Sequence, residues 1–411
     1  MDGRSRSARA TETVDVPSTL ASARPVRGPE TRPPRHIPRA VLRPRFVVVI
    51  AQLAHRLAEH PSWEGVGWFV LLFYAVWSSW INGTLYHDLH TTDDLSVRVF
   101  TFGQMLSVAV MAAYIGDVPG EGSAGFALAY AADLVILTIL WARTGMHDPA
   151  HRPASVPYST AYFLSAVLFA SSVVVATPGR YWIWAGALVV GACGQMIAFY
   201  RWTPPESQAS EAVIATSPSL IERLGLFVII VLGEVVVGAV DGMAELRPRD
   251  IDAIAIGVLG VLIAIGLWWL YFDLVSHEPP VARRTQLWLY LHLPLVIAIA
   301  AGGAGVVNTV GRVGEPLPDS VRWLLAGSLA TAIFCMNLIA RTLERARSQP
   351  EVYGPGEWLL TGAALLCVGV GFTDWGAKAT LGALVLSLLV PIGIGISVWV
   401  RRSDDDVLDF G

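Results

Sequence analysis

The sequence predicts an all-α, polytopic membrane helix bundle of about twelve transmembrane helices. Three observations carry this. Hydrophobic residues make up 54% of the 411-residue chain and charged residues only 15%, with a mean hydropathy of +0.53; a soluble chain carries about 25% charged residues. The apolar residues come in blocks of about twenty, the length that crosses roughly 30 Å of hydrocarbon as a helix. No region alternates polar and apolar residues over the ten or so positions a membrane strand needs.

Eleven runs meet the criterion of about 18 mostly apolar residues. They lie near 64–84, 97–115, 124–142, 158–177, 181–200, 224–240, 251–275, 286–307, 321–340, 357–373 and 379–400. A twelfth, Phe46–Ala54, is weaker: nine apolar residues end at His55 and Arg56, and Arg39, Arg43 and Arg45 precede them. Flanking arginines that snorkel toward the headgroups would let it span.

Charge sets the expected orientation. With twelve spans and an internal N-terminus, 22 basic residues fall inside and 7 outside. The outer seven are Arg56, Arg180, Arg247, Arg249, Arg312, Arg322 and Lys378. The positive-inside rule therefore puts both termini in the cytoplasm. The expected location is the cytoplasmic membrane.

The expected organisation is a disordered Arg/Pro-rich cytoplasmic tail at 1–37, a first six-helix half at 38–202, a cytoplasmic linker at 203–216, a second six-helix half at 217–402 and an acidic tail at 403–411. The first segment has no apolar h-region, so it does not read as a cleaved signal peptide. Short matches relate the halves. Val48-Val49-Ile50-Ala51-Gln52 resembles Ile230-Val231-Leu232-Gly233-Glu234, Tyr86-His87-Asp88 resembles Tyr271-Phe272-Asp273, and Ala142-Arg143-Thr144 resembles Ala340-Arg341-Thr342. Six helices per half make such a repeat parallel, as in some transporter folds.

Ionisable groups inside hydrocarbon cost several kcal/mol, so each is a functional candidate. Glu222 and Arg223 open the seventh run; Glu234 follows twelve residues later, about 18 Å along the axis and 120° around. Asp133 sits mid-helix, where a structural interhelical hydrogen bond is an equal reading. His292 precedes Pro294, which frees backbone carbonyls able to line a site; a hydrogen-bonded interior histidine is the alternative. Gln104, Gln195 and Asn337 are weaker signals of the same kind. His87, Asp88, His90, Asp93 and Asp94 invite a metal reading, but a solvated loop is preferred, with Asp94 pairing Arg98 four residues on. The three cysteines, Cys193, Cys335 and Cys367, lie in apolar runs and read as buried side chains. No nucleotide loop, dinucleotide fingerprint, zinc-protease motif or nucleophile elbow is present. No catalytic residue, metal or cofactor is assigned, and no enzyme activity is expected.

The chain resembles the bacterial low temperature requirement A (LtrA) family. Glu222-Arg223-Leu224-Gly225-Leu226-Phe227-Val228-Ile229-Ile230-Val231-Leu232-Gly233-Glu234 is similar to that family's E-R-[FH]-G-L-F-x-I-I-x-L-G-E signature. Trp268–Asp273 resembles its W-W-x-Y-F-D, Tyr290–Pro294 its Y-x-H-x-P, and Thr92-Asp93-Asp94 with Arg98 its T-D-D-x-x-x-R. The chain departs where the family has E-L-F-F-D-L-V-F: both acidic positions are arginine here, Arg39 and Arg43. The histidine three residues before Glu222 is Ser219, and the arginine expected at 89 is Leu89. These departures mark a divergent member.

The resemblance implies a multi-pass bacterial membrane protein; the family name records a growth phenotype rather than a chemistry. The function expected from the residues is a secondary transporter or channel-like protein for a small solute or ion. Glu222, Arg223, Glu234, Asp273, His292 and Asp133 are the candidate path residues, and Asp93, Asp94 and Arg98 the candidate loop residues. The alternatives are a non-transporting sensor or scaffold in envelope or cold stress, and an intramembrane enzyme acting on lipid. The expected partners are the lipid bilayer and a small solute or ion, with a second copy of the chain as a further candidate and no nucleic acid.

Overall fold

In the computed structural model the described residues are 44–89, 95–202, 217–245, 251–276, 278–310, 312, 316–344, 346 and 350–408. They form twelve long helices and no strand. In chain order these are α1 (Pro44–Glu59), α2 (Trp63–Leu89), α3 (Leu95–Ile115), α4 (Ser123–His147), α5 (Arg152–Ser171), α6 (Gly179–Trp202), α7 (Pro218–Glu245), α8 (Ile251–Leu274), α9 (Thr285–Val310), α10 (Asp319–Ala340), α11 (Pro350–Gly371) and α12 (Ala377–Leu408). Residues 1–37 and the 203–216 linker lie outside the described residues.

Ten of the twelve helices are long and apolar enough to cross a membrane. The other two are α1 and α11. The apolar stretch of α11 is diluted by Gly354, Pro355, Gly356 and Glu357. The weak first run becomes a 16-residue helix, about 24 Å long at 1.5 Å per residue. It folds because one stripe is buried: Phe46, Val49, Ile50, Leu53 and Leu57 recur at helical spacing. Its opposite side carries exposed Gln52, His55 and Glu59, which is why a hydropathy window undervalues it. The last helix also runs on to Leu408, taking in residues 403–408 that the charge pattern assigns to a tail. After Gly395 the sequence offers no glycine or proline to stop it before that point.

The helices pack in a pattern that recurs. In the first half the neighbours are α1–α2, α1–α3, α2–α4, α3–α4, α4–α5 and α5–α6. In the second they are α7–α8, α7–α9, α8–α10, α9–α10, α10–α11 and α11–α12. To these the second half adds α8–α9, α10–α12 and an extensive α8–α12 contact without a counterpart of that extent in the first. The seam between them is made by α1 and α2 against α7 and α9. At that seam Trp80 and Phe227 lie with ring centroids 4.2 Å apart. Arg223 donates from Nη1 to the Thr84 carbonyl at 3.0 Å, and Asn308 donates to the Ala58 carbonyl.

Connections are tied by basic side chains that the charge count places outside. Arg56 donates to the Gly116 carbonyl. Arg180 donates to the Ser172 and Val173 carbonyls at 3.2 and 2.9 Å, and to Ser123 Oγ at 2.5 Å. Buried Arg322 donates to the Gly371 carbonyl at 3.1 Å and to Asp319 at 2.6 Å. Lys378 pairs with Asp252 at 2.8 Å. Four of the seven opposing charges are thus committed to carbonyls or carboxylates at the helix ends and connections.

Candidate functional site

The polar interior begins on α2. Ser78 and Asn82 are one turn apart and fully buried, with Ser79 beside them. Asn82 Nδ2 donates to the Ser78 carbonyl at 2.6 Å and to Ser78 Oγ at 3.2 Å. From α6, Gln195 Nε2 donates to Ser78 Oγ at 3.4 Å. From α9, the Tyr290 hydroxyl donates to Gln195 Oε1 at 2.6 Å. From α4, Asp133, with 0% exposure, accepts from Ser79 Oγ at 2.6 Å. Hydrogen bonds thus join α9, α6 and α2 across the seam, and a separate bond from the neighbouring Ser79 joins α2 to α4.

Tyrosines surround it. The phenols of Tyr74, Tyr130, Tyr158 and Tyr290 lie near Tyr162. Trp141 stacks on Tyr158 at 4.2 Å, and Trp77 faces Tyr290 at 6.0 Å. Buried Gln104 approaches Gly83 closely: a Cβ there would meet its amide at 3.4 Å. Among the described residues, no side chain or backbone group pairs with either Gln104 amide atom, Asn82 Oδ1, Trp77 Nε1 or the Tyr162 hydroxyl. A buried polar atom without a partner costs about 1–3 kcal/mol, so five in one neighbourhood form a region suited to hydrogen-bonding a polar guest.

The other candidates are distributed differently. His292 is fully buried on α9. Its Nδ1 donates to the Trp288 carbonyl at 2.8 Å, and in the neutral ring Nε2 accepts from the Tyr271 hydroxyl at 3.2 Å. Both ring nitrogens are satisfied, so this is an interior histidine that joins α8 to α9. Glu234 is half-buried on α7, and no described residue hydrogen-bonds its carboxylate. Glu222 and Asp273 are exposed near helix ends, while Arg223 reaches α2 as described above. The structure thus brings Asp133 into the polar set and does not bring Glu234 or Asp273 there.

At the α2–α7 connection Asp88 has a definite task. Both its oxygens accept from Ser217 Oγ at 2.7 Å. Ser217 Oγ in turn accepts from the Leu220 amide at 2.9 Å, the N-cap bond of α7. His90, Asp93 and Asp94 lie outside the described residues, and Arg98 is partly exposed on the first turn of α3. No group of three metal-ligating side chains occurs among the described residues. Asn337 staples α10 to α11, donating to the Glu357 carbonyl at 3.1 Å and to Thr361 Oγ1 at 3.0 Å.

Sequence reading located Asp133, Gln104 and Gln195 but not the phenols. A signal existed: Ser78 with Asn82, and Tyr158 with Tyr162, each stand four residues apart in otherwise apolar runs.

The fold and this interior define a multi-pass helical membrane protein with a buried polar core. The chain belongs to the family described as "Bacterial low temperature requirement A protein (LtrA)", which it matches over residues 45–390. It is 28% identical over 280 residues to the uncharacterized protein RA0937 of Rhizobium meliloti (strain 1021). That match covers 63% of this chain and 66% of the relative, just under two thirds of its length. No solved structure matches.

Proposed function

We propose that this protein is a secondary transporter or channel-like protein for a small polar solute or ion, with both termini in the cytoplasm of a bacterial cell. One observation supports it above the rest: hydrogen bonds run from part-buried Tyr290, in the second turn of α9, through buried Gln195 to buried Ser78, and Asp133 lies buried in mid-helix on the neighbouring Ser79. Intramembrane ionisable and amide groups are costly and mark solute or ion pathways. Transporter sites also form where two helical halves meet near mid-membrane, and Tyr290 crosses that seam. The site is accordingly centred on Asp133, Gln195 and Tyr290. Glu234 is a second carboxylate on α7 rather than the centre.

Ligand-induced thermal stabilisation tests this. The detergent-purified protein is screened against ions, amino acids and sugars, with Asp133→Asn, Tyr290→Phe and Glu234→Gln alongside. A ligand of the folded state raises the melting temperature with its saturation. The expected result is a shift present in the wild type and lost in Asp133→Asn. A shift lost only in Glu234→Gln moves the site to α7. No shift with any solute overturns the transport reading in favour of the sensor or scaffold.

A further inference from the structure

A second feature is independent of the polar set. Between the starts of α2 and α10, over the middle of α9, runs a lateral groove of about 400 Å³. Pro61, Trp63, Val66 and Phe69 form one wall. Trp323, Gly327 and Thr331 form the other, and Pro294 and Ala301 of α9 lie in its floor. The lining is overwhelmingly apolar, and its few hydroxyls sit at definite levels: Ser62 and Ser320 at the mouth, Ser328 and Thr331 at the deep end. Ala298 and Ser328 also line a separate small apolar void between α9, α10 and α8, which lies next to the groove.

We propose that this groove holds one acyl chain of a bilayer phospholipid. Three arguments select that occupant. The open side is continuous with the lipid-facing surface, where Trp63 and Val70 are 74% and 41% exposed. Trp63 and Trp323 stand beside the helix ends, the level at which tryptophans favour the membrane–water boundary. The length fits: the eleven helical steps from Ser320 to Thr331 rise about 16 Å, close to one leaflet of a hydrocarbon core roughly 30 Å thick. An acyl chain fills an apolar groove without leaving polar groups unpaired, and a hydroxyl pair at the mouth meets the headgroup region.

Glycines supply the test. A Cβ at Gly327, which lines the groove, meets nothing within 4 Å, so a side chain can start there and Gly327→Phe is the variant chosen to fill the groove. Gly362 has equal space and does not line the groove. The full chain is reconstituted with a phospholipid carrying a diazirine on its acyl chain, irradiated and mapped by mass spectrometry. Labelling is expected to concentrate on Trp63, Phe69, Ile297 and Thr331, to be lost in Gly327→Phe and to persist in Gly362→Phe. Uniform labelling around the bundle, or labelling unchanged by Gly327→Phe, overturns the proposal. Crosslinks between two copies of the chain at these residues, in a parallel photocrosslinker scan, would overturn it in favour of a protein occupant. If Gly327→Phe fails to fold, Thr331→Trp, at an exposed position on the same wall, takes its place with the same two outcomes.

Discussion

The two halves share a packing pattern but fill it with different matter. The first is held by large aromatic and polar side chains: Trp77, Trp141, Trp184, Tyr130 and Tyr162 are fully buried there. In the second, glycine brings helices close. A Cβ at Gly303 would meet Val235 at 2.9 Å, at Gly305 Leu325 at 2.8 Å, and at Gly238 Val307 at 2.6 Å. Helices in hydrocarbon gain little from burying apolar surface, so they associate by small-residue contact or by interhelical hydrogen bonds. Both halves use both devices. Glycine brings Gly194 against Ala161 in the first half as it brings Gly303 against Val235 in the second. Hydrogen bonds join α8 to α9 and α10 to α11 as they join α6 to α2. The contrast lies in the larger share of buried aromatic and polar side chains in the first half. The difference teaches where chemistry can reside. Glycine contact leaves apolar voids such as that lined by Ile263, Gly302 and Leu384, whereas a polar aromatic core carries donors and acceptors able to meet a guest.

The sharpest way to break this comparison is to remove an aromatic keystone. Trp141→Ala deletes a side chain with 0% exposure that stacks on Tyr158 and meets Tyr86 edge-on at 5.7 Å. It should lower stability by about 3–5 kcal/mol, read as a fall in melting temperature in detergent. A loss below about 1 kcal/mol would show that the aromatic core does not hold the first half.

Next is the glycine device. Gly303→Leu drives a branched side chain against Val235, whose Cα lies 3.3 Å from the position of a Cβ. Overpacking of this kind costs about 1–3 kcal/mol or somewhat more, and Gly362→Leu, in open space, should be near neutral. Equal effects at the two sites would remove glycine contact as the cause.

A smaller effect belongs to the seam. Tyr290→Phe deletes the donor to Gln195 and leaves the amide oxygen unpaired, costing about 1 kcal/mol of stability. Its larger consequence is the loss of ligand-induced stabilisation, so melting curves with and without solute separate structural from functional roles.

The smallest effect sharpens the boundary between core and surface. Asp148, in the exposed α4–α5 connection, has its carboxyl held below the ordinary aspartate value of 3.8, chiefly by the hydrogen bond with His151 at 2.5 Å and then by the Ala150 amide at 3.0 Å. A depressed carboxyl contributes stability that is fully present above its unfolded value and lost as the pH falls through the folded one. Wild type and Asp148→Asn should therefore differ slightly at neutral pH and converge on acidification below that range. A difference that persists in acid would assign the effect to something other than this ionisation.

Much of the fold was legible, because a spanning helix must be long and apolar whatever surrounds it. Ten of the twelve helices stand as clear spans in the hydropathy. α11, read from the sequence as an eleventh, falls short because Gly354, Pro355, Gly356 and Glu357 dilute its start, and α1 follows from its buried stripe once its neighbours are known. The site was legible residue by residue but not as a set. Asp133, Gln104 and Gln195 stood out as polar residues in apolar runs. Glu234 stands out equally as a carboxylate deep in an apolar run, yet the polar residues that meet lie near Asp133. Which polar residues meet depends on helix rotation and neighbour choice, and those follow from packing against other helices, not from the period of any one of them.

The sequence by itself determined that the chain is helical, membrane-spanning and a member of its family, because the bilayer admits few ways to satisfy a backbone. It also determined which buried groups would be costly. Only the tertiary structure decided that His292 is satisfied by Tyr271 and Trp288, that Asp88 serves the cap of α7, that four opposing cations hold connections, and that Tyr290 carries hydrogen bonding across the seam. Each of these depends on contacts between residues far apart in the chain. A side chain's chemistry is fixed by its type, but its role is fixed by the partner that packing sets within about 3 Å of it.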